Sequence, residues 1–384
     1  MKICIITKDL TVEPKIGFAL HVHNLAKWLG KKHEVTVLSF GGMITKKQIT
    51  ALEKNVKIIE IPDLFSLLLG GLTYKLFRKP TLDYFLSLSA RHNSSFKELF
   101  NKIVATSDVV IFEGCWHAPV LRFVSAGKMV IYNAHNIEFA LKKQVYTDFF
   151  TKRLLLERVY KIEKEMVQRA DYIFALSPAD KINLVETYHI SPEKIIVNYT
   201  FAVDVPGRDY DRRNASPKTV AFIGSTYFAN IEAARFINEN LAGKLPDYEF
   251  HIIGKAGNHI ALPRRNVHIH GYVSKKEKDK ILQQCGIAIA PIFHGGGICG
   301  KIIEYMAYGL PVICTPLAFK GLGVPEELVI LADRNNFQEK IKNCSPYQLK
   351  VLSRKGREYF LSNRTPEILI REWENLLVKG VSKK

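Results

Sequence analysis

The sequence predicts an α/β protein made of two doubly wound units, each a parallel sheet covered by helices on both faces. Three observations lead to this prediction. Apolar runs of strand length alternate with helix-length periodic segments, and the alternation is interrupted once by a polar segment and then resumes. A chain of 384 residues with 47% apolar content also exceeds the size at which single cores usually divide.

The first unit is predicted over residues 1–205. Helical periodicity near 17–31 and 150–169 separates its apolar runs, which lack the polar alternation of a half-exposed strand. These runs are KICIIT, EVTVLSF, VKIIEI, DVVIFE, KMVIYNA and YIFALS, at residues 2–7, 34–40, 56–61, 108–113, 128–134 and 172–177.

The second unit is predicted over residues 206–360, after a segment at 204–217 that is rich in Pro, Gly, Asp and Arg and is typical of a linker. Helices are expected near 230–242, 275–284 and 301–308. The apolar runs between them are TVAFIG, EFHIIG, VHIHG, IAIAPI, PVICT and LVILA, at 219–224, 249–254, 267–271, 287–292, 311–315 and 328–332. A helix within 361–384 is expected to pack back toward the first unit. Such architectures bind ligands at the carboxyl ends of their strands, in a cleft that the two units face.

The charge of the chain favours polyanionic partners. Lys and Arg number 55 against 37 Asp and Glu, a formal net charge of +18. Nucleic acid, anionic lipid and phosphorylated substrates all fit that charge. Nucleic-acid modules usually interleave aromatic and basic residues on one element, and this pattern is missing, so no nucleic-acid partner is expected. A non-enzymatic binder of polyanions stays an alternative.

The cysteines and the N-terminus indicate a cytoplasmic protein. Six cysteines without a C-x-x-C pair are typical of free thiols in a reducing compartment, and no structural zinc is expected. The apolar run in the opening MKICIITKDL is too short for the core of a signal peptide. No run approaches the roughly 20 apolar residues that span a bilayer.

One segment, 62–100, differs in kind from the rest because it mixes Leu and Phe with Lys75, Arg78, Lys79 and Arg91. A basic amphipathic surface of that composition is suited to peripheral contact with an anionic membrane. Amphipathic helices packed on the first sheet are the alternative.

The stretch GGGICGKIIEYMAYGLPVI, residues 295–313, predicts an anion site. Its glycines allow a turn that exposes backbone N–H groups, and a helix over Lys301 to Tyr308 follows, with Ile302, Ile303 and Met306 facing inward. Such a helix directs free N–H groups and a partial positive charge at whatever lies before it.

Seven segments together resemble the GT-B-fold retaining glycosyltransferases of family 4, the glycosyl transferases group 1. They cover most of the chain, and those of the C-terminal half are the more specific. The segments are HNIE, ADYIFALSPAD, EKIIVNYTFAVD, FIGSTYFANIEAARFI, FHIIG, VHIHGYVSKKE and IAIAPIFHGGGICGKIIEYMAYGLPVICT, at 135–138, 170–180, 193–204, 222–237, 250–254, 267–277 and 287–315.

The resemblance implies a site for a nucleotide-sugar donor. Glu304 matches a family glutamate that binds the ribose hydroxyls, while loop amides and the helix dipole meet the diphosphate. The alternative for Glu304 is a solvated glutamate of a first helical turn. The other implied donor residues are Gly224, Ser225, Gly254, His294, Gly295, Gly296, Gly297 and Ile298.

Lys301 is expected to stabilise the negative charge that builds on the leaving diphosphate, the alternative being a solvent-facing helix residue. Many relatives place an Arg and a Lys just after the first strand of the second domain. Here Ser225 and Asn230 stand at those positions, so another cation must balance the diphosphate, and Lys301 is the nearest candidate.

A second departure from the family lies eight positions before Glu304. Many relatives have an acid there that contacts the sugar hydroxyls, and this chain has Gly296. The identity of the donor sugar therefore does not follow from the resemblance. Backbone amides of Gly296, Gly297 and Ile298 are the expected substitutes.

In the first domain the resemblance singles out Gly17 and His135. Relatives carry a glycine pair at the position of Gly17 that lets the backbone reach the donor phosphates, although a simple loop glycine is an equal reading. His135 matches a position near the transferred sugar, and Glu138 lies on the same loop. His294 is expected to donate to phosphate. The implied catalytic residues are His135, Lys301 and Glu304.

The implied function is retaining transfer of a sugar from a nucleotide sugar to a glycan or lipid-linked acceptor, in polysaccharide or glycolipid synthesis at the cell surface. No metal or other cofactor is expected, because no Asp-x-Asp pair is present to hold a divalent ion against the diphosphate. A nucleotide-sugar epimerase of the same fold is the enzymatic alternative.

Overall fold

The structure is a computed structural model that describes residues 1–8, 17–41, 46–77, 81–200, 202 and 216–381. The chain forms two compact units. Unit 1 comprises Met1–Asn198 and Ile370–Lys384, and unit 2 comprises Tyr199–Leu369. Most of the predicted linker, residues 204–215, lies outside the described residues.

Unit 1 is built on an eight-stranded sheet in the order β3-β4-β2-β1-β5-β6-β7-β8. All neighbours pair in parallel except β3, which pairs antiparallel with β4. The sheet is therefore mixed, and the prediction of a wholly parallel sheet was wrong at this edge. The strands are β1 (Lys2–Thr7), β2 (Glu34–Phe40), β3 (Gln48–Glu53), β4 (Val56–Ile61), β5 (Val109–Glu113), β6 (Met129–Ala134), β7 (Tyr172–Ala175) and β8 (Ile195–Val197).

Helices cover both faces of this sheet. They are α1 (Gly17–Leu29), α2 (Leu64–Phe77), α3 (Leu82–His92), α4 (Ser94–Ala105), α5 (Glu138–Val145), α6 (Phe149–Thr151), α7 (Glu157–Arg169) and α8 (Pro178–Tyr188). Side chains alternate along the central strand, so Ile3 and Ile5 join the core on the α1 face while Cys4 and Ile6 join the core on the opposite face. Both sets are buried, which is why the strand is apolar without interruption.

Unit 2 contains a six-stranded parallel sheet in the order β11-β10-β9-β12-β13-β14. The strands are β9 (Ser216–Ile223), β10 (Glu249–Ile253), β11 (Val267–Gly271), β12 (Cys285–Ala290), β13 (Val312–Cys314) and β14 (Ile330–Leu331). The helices are α9 (Phe228–Phe236), α10 (Lys275–Gln284), α11 (Lys301–Ala307), α12 (Pro316–Phe319), α13 (Phe337–Lys342), α14 (Pro346–Asn363) and the first residues of α15 (Pro366–Val381).

The last helix, α15, begins in unit 2, and its residues from Ile370 onward belong to unit 1. There Trp373 is buried and stacks on Phe174 of β7, with ring centroids 3.9 Å apart. A stacked aromatic pair of this size contributes substantial apolar burial to the α1 face of the unit 1 core.

Helix α2 has an unusual distribution of side chains. The residues it turns inward are small or polar: Ser66 is buried, and a Cβ on Gly70 would lie 3.0 Å from the Cα of Leu82 at the start of α3. Six of its large apolar or aromatic side chains are instead at least half exposed. These are Leu64, Phe65, Leu68, Leu72, Tyr74 and Leu76, called the α2 apolar face below. Within 62–100, the prediction of helices packed through their apolar faces holds for α4, whose Phe96, Phe100 and Val104 are buried, but not for α2.

Candidate functional site

The glycine-rich loop ends where α11 begins, as predicted. A buried tyrosine of α11 anchors the helix to the sheet. Ile302, Ile303 and Met306 face the core. The hydroxyl of Tyr305 accepts a hydrogen bond from the backbone N–H of Ile223 (2.8 Å) and donates one to the carbonyl of Ile289 (3.3 Å). Helix α11 is thereby tied to the ends of two central strands, β9 and β12, which fixes the direction in which Lys301 and Glu304 leave it.

Two glycines of the loop have backbone conformations that disfavour other residues. Gly295 has φ +117° and Gly297 has φ +81°. The side chain of Tyr227 packs against the loop, and its hydroxyl accepts a weak hydrogen bond from the N–H of Gly296 at 3.4 Å. A side chain at position 295 would press against this hydroxyl, since a Cβ there lies 3.1 Å from it.

Lys301 is half-buried and does not project into solvent. Its Nζ donates to Oδ1 of Asn230 at 2.5 Å and lies 4.4 Å from the centroid of the Phe222 ring. Nδ2 of Asn230 in turn donates to the hydroxyl of Ser225 at 3.1 Å. The two positions where many family members carry cations thus hold Lys301 in place here. Burial lowers the pKa of the Lys301 ammonium, and the neighbouring Cys299 and Glu304 oppose this only in part.

Glu304, one turn along α11, is also partnered. Its Oε1 accepts a hydrogen bond from Nζ of Lys278 on α10 at 2.6 Å, and the two side chains are 25% and 24% exposed. The structure therefore excludes the reading of Glu304 as a carboxylate that only water contacts. Its role in binding ribose stays a prediction.

Gly224 and Gly254 lie where two neighbouring strands end, and there the backbones approach closely. Gly254 has φ +95°, and a Cβ on it would lie 2.4 Å from the carbonyl oxygen of Gly224. The N–H of Gly254 donates to the carbonyl of Gly271 at 2.6 Å. A Cβ on Gly224 would lie 2.8 Å from the Cβ of Ala256, so packing favours glycine at both positions, independently of the donor contact predicted for them.

His294 lies beside the loop but is tied to the neighbouring helix. Its Nδ1 is 2.8 Å from Oε2 of Glu232 on α9, and the other oxygen of this carboxylate accepts a hydrogen bond from Arg334 at 2.7 Å. Although burial raises the pKa of Glu232, the hydrogen bonds from His294 and Arg334 lower it further, so the net shift is downward. An imidazole bound in this way has one nitrogen left for a phosphate.

The candidate residues of unit 1 are placed by α1 and by the end of β6. Gly17 is the first residue of α1. His135 follows β6, and its Nε2 donates to Oε2 of Glu113, the last residue of β5, at 2.5 Å. The ring of His135 also meets Phe18 edge-on, with centroids 4.6 Å apart, and His21 at 5.0 Å.

Glu113, for which the sequence predicted only the end of a strand, lies among the candidate residues of unit 1 as well. Its side chain is 0% exposed, and its Oε2 accepts from Nδ2 of Asn133 (2.9 Å) as well as from His135. Its other oxygen, Oε1, is buried and has no hydrogen-bond partner among the described residues. Asn133 is the register partner of Glu113 on β6, and its Nδ2 lies 3.4 Å from Nε2 of His21.

The loop that carries His135 is held on its far side by Glu163 of α7. This fully buried carboxylate accepts hydrogen bonds from the backbone N–H groups of Glu138 (2.9 Å) and Phe139 (2.8 Å), the first residues of α5. It also accepts from the hydroxyls of Tyr132 and Tyr188. Burial raises the pKa of Glu163 to about 7 even though these hydrogen bonds lower it. Glu163 thus caps α5 from a distant segment and orders the loop.

One group among the described residues has the composition of a metal site. His21, Glu113 and His135 each offer a ligand atom, and these atoms lie within 4.8 Å of one another. Burial, with a smaller contribution from His135, lowers the pKa of His21 to about 3, so its ring is neutral. The expectation that the enzyme works without a metal stays a prediction.

Solved structures of similar fold cover nearly the whole chain. Sucrose-phosphate synthase from Thermosynechococcus elongatus is 14% identical and superimposes with a TM-score of 0.74 over 100% of both chains. WaaG, a glycosyltransferase of lipopolysaccharide biosynthesis, is 13% identical with a TM-score of 0.65 over 96% of this chain and 98% of its own. Anabaena HepE, solved in complex with UDP and glucose, is 12% identical with a TM-score of 0.63 over 97% and 99%. These likenesses establish the fold.

Two family models match the chain, one in each half. The model described as glycosyltransferase family 4 matches residues 17–202, and the model described as glycosyl transferases group 1 matches residues 217–345. The chain is a GT-B glycosyltransferase. No curated protein sequence matches it. The predicted fold class and enzyme class are confirmed.

The predicted site residues of this glycosyltransferase fall into two sets. Unit 1 contains Gly17 and His135. Unit 2 contains the strand-end glycines, the loop and α11, and there Ser225 and Lys301 share one hydrogen-bonded chain through Asn230. Among the helices of the described residues, none is long and apolar enough to cross a bilayer.

Proposed function

We propose that the enzyme transfers a sugar from a nucleoside-diphosphate sugar to a glycan or lipid-linked acceptor, with retention of the anomeric configuration. The observation that carries the proposal is the position of Lys301. A half-buried ammonium with a lowered pKa is held by Asn230 and by the face of Phe222, directly after a loop of four glycines. A cation that is already desolvated interacts strongly with a diphosphate. The UDP and UDP-glucose complexes of HepE, which shares the fold, support this donor class.

In the proposed donor complex the loop, α11 and His135 bind different parts of the donor. Lys301 and the amides of Gly296, Gly297 and Ile298 contact the diphosphate, and the carboxylate of Glu304 accepts from the ribose hydroxyls. Lys278 holds Oε1 of Glu304 and so presets the carboxylate for the pentose. His135 contacts the transferred sugar, the role carried over from the family.

The proposed chemistry needs no enzyme nucleophile. The acceptor hydroxyl oxygen forms the new bond to the anomeric carbon on the face from which the diphosphate leaves, and the bond from that carbon to the phosphate oxygen breaks. A phosphate oxygen takes the proton of the hydroxyl. Catalysis then rests on positioning and on stabilisation of the leaving diphosphate by Lys301 and the loop amides.

A thermal-shift screen of nucleoside diphosphates and nucleotide sugars tests the donor class. We expect a rise in melting temperature with UDP, GDP or their sugars, reduced in Lys301→Ala and in Glu304→Ala. Lys340→Ala is a matched control, because this lysine of unit 2 is exposed on α13. No shift with any nucleotide would contradict the proposal.

The anomeric configuration of the product tests retention, and the need for an acceptor separates transferase from epimerase. NMR of the product formed from an α-linked donor should show an α-glycoside that appears only when acceptor is added. A β-glycoside would contradict retention. Free sugar or an epimer released at full rate without acceptor would instead indicate the epimerase.

We also propose that the α2 apolar face rests on an anionic membrane, which would supply a lipid-linked acceptor. Its side chains are large and exposed, Leu68 by 73% and Leu76 by 67%, while the packed side of the helix is formed by small residues. Large exposed apolar patches mark interaction sites, and the exposed Lys75 on the same helix suits anionic headgroups. The net charge of +18 acts in the same direction.

Liposome co-sedimentation tests this contact. The enzyme should sediment with vesicles that contain phosphatidylglycerol and much less with pure phosphatidylcholine. Leu68→Asp with Leu72→Asp should abolish the binding. Leu262→Asp serves as the control, because Leu262 is an isolated apolar side chain of unit 2 that is 85% exposed. Equal sedimentation of all variants, or none of the wild type, would favour a water-dissolved acceptor.

A further inference from the structure

We infer that Glu113 is a positioning residue that fixes the tautomer and orientation of His135. The inference rests on the proposed function, because His135 acts there on the transferred sugar, and it adds a residue that the family resemblance does not supply. Glu113 is the last residue of β5, and His135 follows β6. The parallel pairing of these strands sets Glu113 opposite Asn133, two residues before His135.

The contact geometry determines which ring nitrogen is engaged. Nε2 of His135 lies 2.5 Å from Oε2 of Glu113, and a carboxylate oxygen at that distance accepts a hydrogen bond from the imidazole N–H. The ring therefore carries its proton on Nε2, and Nδ1 is the nitrogen that can meet a sugar hydroxyl. Phe18 packs edge-on against the ring and restricts its rotation.

The surroundings of Glu113 make its burial costly. It is 0% exposed, and its Oε1 has no hydrogen-bond partner among the described residues. A buried carboxylate with one unsatisfied oxygen is costly to stability. Glu60 of β4 has the same feature, so the contact with His135 is what sets Glu113 apart.

A divalent metal ion on His21, Glu113 and His135 is the competing explanation of the same cluster. Nδ2 of Asn133 donates to Glu113 at 2.9 Å and lies 3.4 Å from Nε2 of His21. The amide of Asn133 thus lies between the ligand atoms of Glu113 and His21, and the ligand atoms of Glu113 and His135 are at hydrogen-bond distance. The arrangement favours shared protons over a shared ion.

The tautomer can be tested without any activity. In the wild-type chain, ¹⁵N NMR of the histidine side chains should show the neutral form of His135 as the tautomer with its proton on Nε2. Glu113→Gln should give a mixture of tautomers, whereas Glu60→Gln should not. Glu60 is the matched control, since it is a buried carboxylate in β4 of the same sheet, 4% exposed and with an unpartnered Oε1. A proton on Nδ1 in the wild type would overturn the inference.

Kinetics test the consequence for catalysis. With UDP-glucose as donor and water as acceptor, the release of UDP is measured for Glu113→Gln, His135→Ala and the double variant. We expect each single variant to lower kcat about 100-fold, with KM changed less than about threefold. The double variant should be no slower than His135→Ala, because Glu113 acts only through that ring. If the losses in kcat of the two single variants multiply in the double variant, or if the effect is confined to KM, the inference is overturned while the proposed function stays intact.

Two further outcomes complete the test. Loss of activity with EDTA and recovery with Zn²⁺ would replace the inference with the metal site. A wild-type chain that neither binds nor cleaves any nucleotide sugar would overturn the proposed function as well, and Lys301→Ala in unit 2 then reports on that failure independently of unit 1.

Discussion

The ammonium of Lys301 and the side-chain carbonyl of Asn230 lie 2.5 Å apart, which links the first residue of α11 to the first turn of α9. The Asn amide is neutral, so it orients the lysine without cancelling its charge. A carboxylate at position 230 would orient the lysine and would also neutralise its charge. In the proposed donor complex, the charge that Lys301 presents to the diphosphate therefore depends on the identity of residue 230, which need not touch the donor.

Replacing Asn230 should separate orientation from charge. Asn230→Ala is expected to raise the donor KM about tenfold, the loss of one hydrogen bond to a charged group. Asn230→Asp should be worse, because the new carboxylate neutralises Lys301. Initial-rate kinetics check this, with Asn240→Ala at an exposed position as the control. A donor KM in Asn230→Asp equal to that of the wild type would disprove the role of Lys301 as a free charge.

Lys301→Ala should raise the barrier to transfer by about 3 kcal/mol, a loss of roughly 100-fold in kcat, because stabilisation of the leaving group disappears. Lys301→Arg should recover only part of this loss, since a planar guanidinium differs in shape from the ammonium that contacts Asn230 and Phe222. Circular dichroism and thermal melts establish that both variants fold. Unchanged turnover in Lys301→Ala would remove this residue from the mechanism.

Glu304→Ala should weaken nucleotide binding more than it slows chemistry, because the ribose is bound equally in the ground and transition states. Calorimetric titration with UDP measures the loss, expected at about 2 kcal/mol for hydrogen bonds to a charged group. Glu358→Ala is the comparison, as this glutamate lies on α14 and is 55% exposed. Equal UDP affinity in wild type and Glu304→Ala would rule out the ribose contact.

Tyr305→Phe should destabilise unit 2 by about 1–3 kcal/mol, because the backbone N–H of Ile223 loses its buried acceptor. Urea unfolding monitored by circular dichroism provides the measurement. Tyr347→Phe should be neutral, since Tyr347 is 79% exposed. If both substitutions behave alike, the tyrosine does not fasten α11.

Stability should fall in mild acid through His117. Burial lowers the pKa of His117 to about 4, and its Nε2 donates to the carbonyl of Phe40 at 3.2 Å. A histidine with a depressed folded-state pKa contributes stability above its unfolded pKa of about 6.5, and this contribution is lost as the pH falls toward 4. The slope is at most about 1.4 kcal/mol per pH unit.

Melting temperatures between pH 4 and pH 7 measure this effect. The melting curve of His117→Gln should depend less on pH than that of the wild type across that window. His92→Gln is the control, because His92 is exposed at the end of α3. Parallel pH profiles in wild type and His117→Gln would assign the acid sensitivity to other groups.

The sequence predicted most of the sheet strands because they are buried on both faces. KICIIT and EVTVLSF became β1 and β2 without a change of boundary. Strand β3 was missed because QITALE is mixed in polarity, as expected for an edge strand exposed to water. The register of β5 and β6 cannot be read from sequence, so the meeting of Glu113 with His135 was not predicted. Its one signal was a carboxylate ending an apolar strand just before Gly114, which has φ +88°.

The inverted side-chain distribution of α2 has a practical consequence for handling the enzyme. Without lipid, its row of leucines borders water, and a second molecule offers the same row in return. Preparations free of detergent should therefore run large and polydisperse on a sizing column. A mild detergent or Leu68→Asp should restore a single narrow peak. The chromatogram then shows whether the apolar side chains of α2 cause the association.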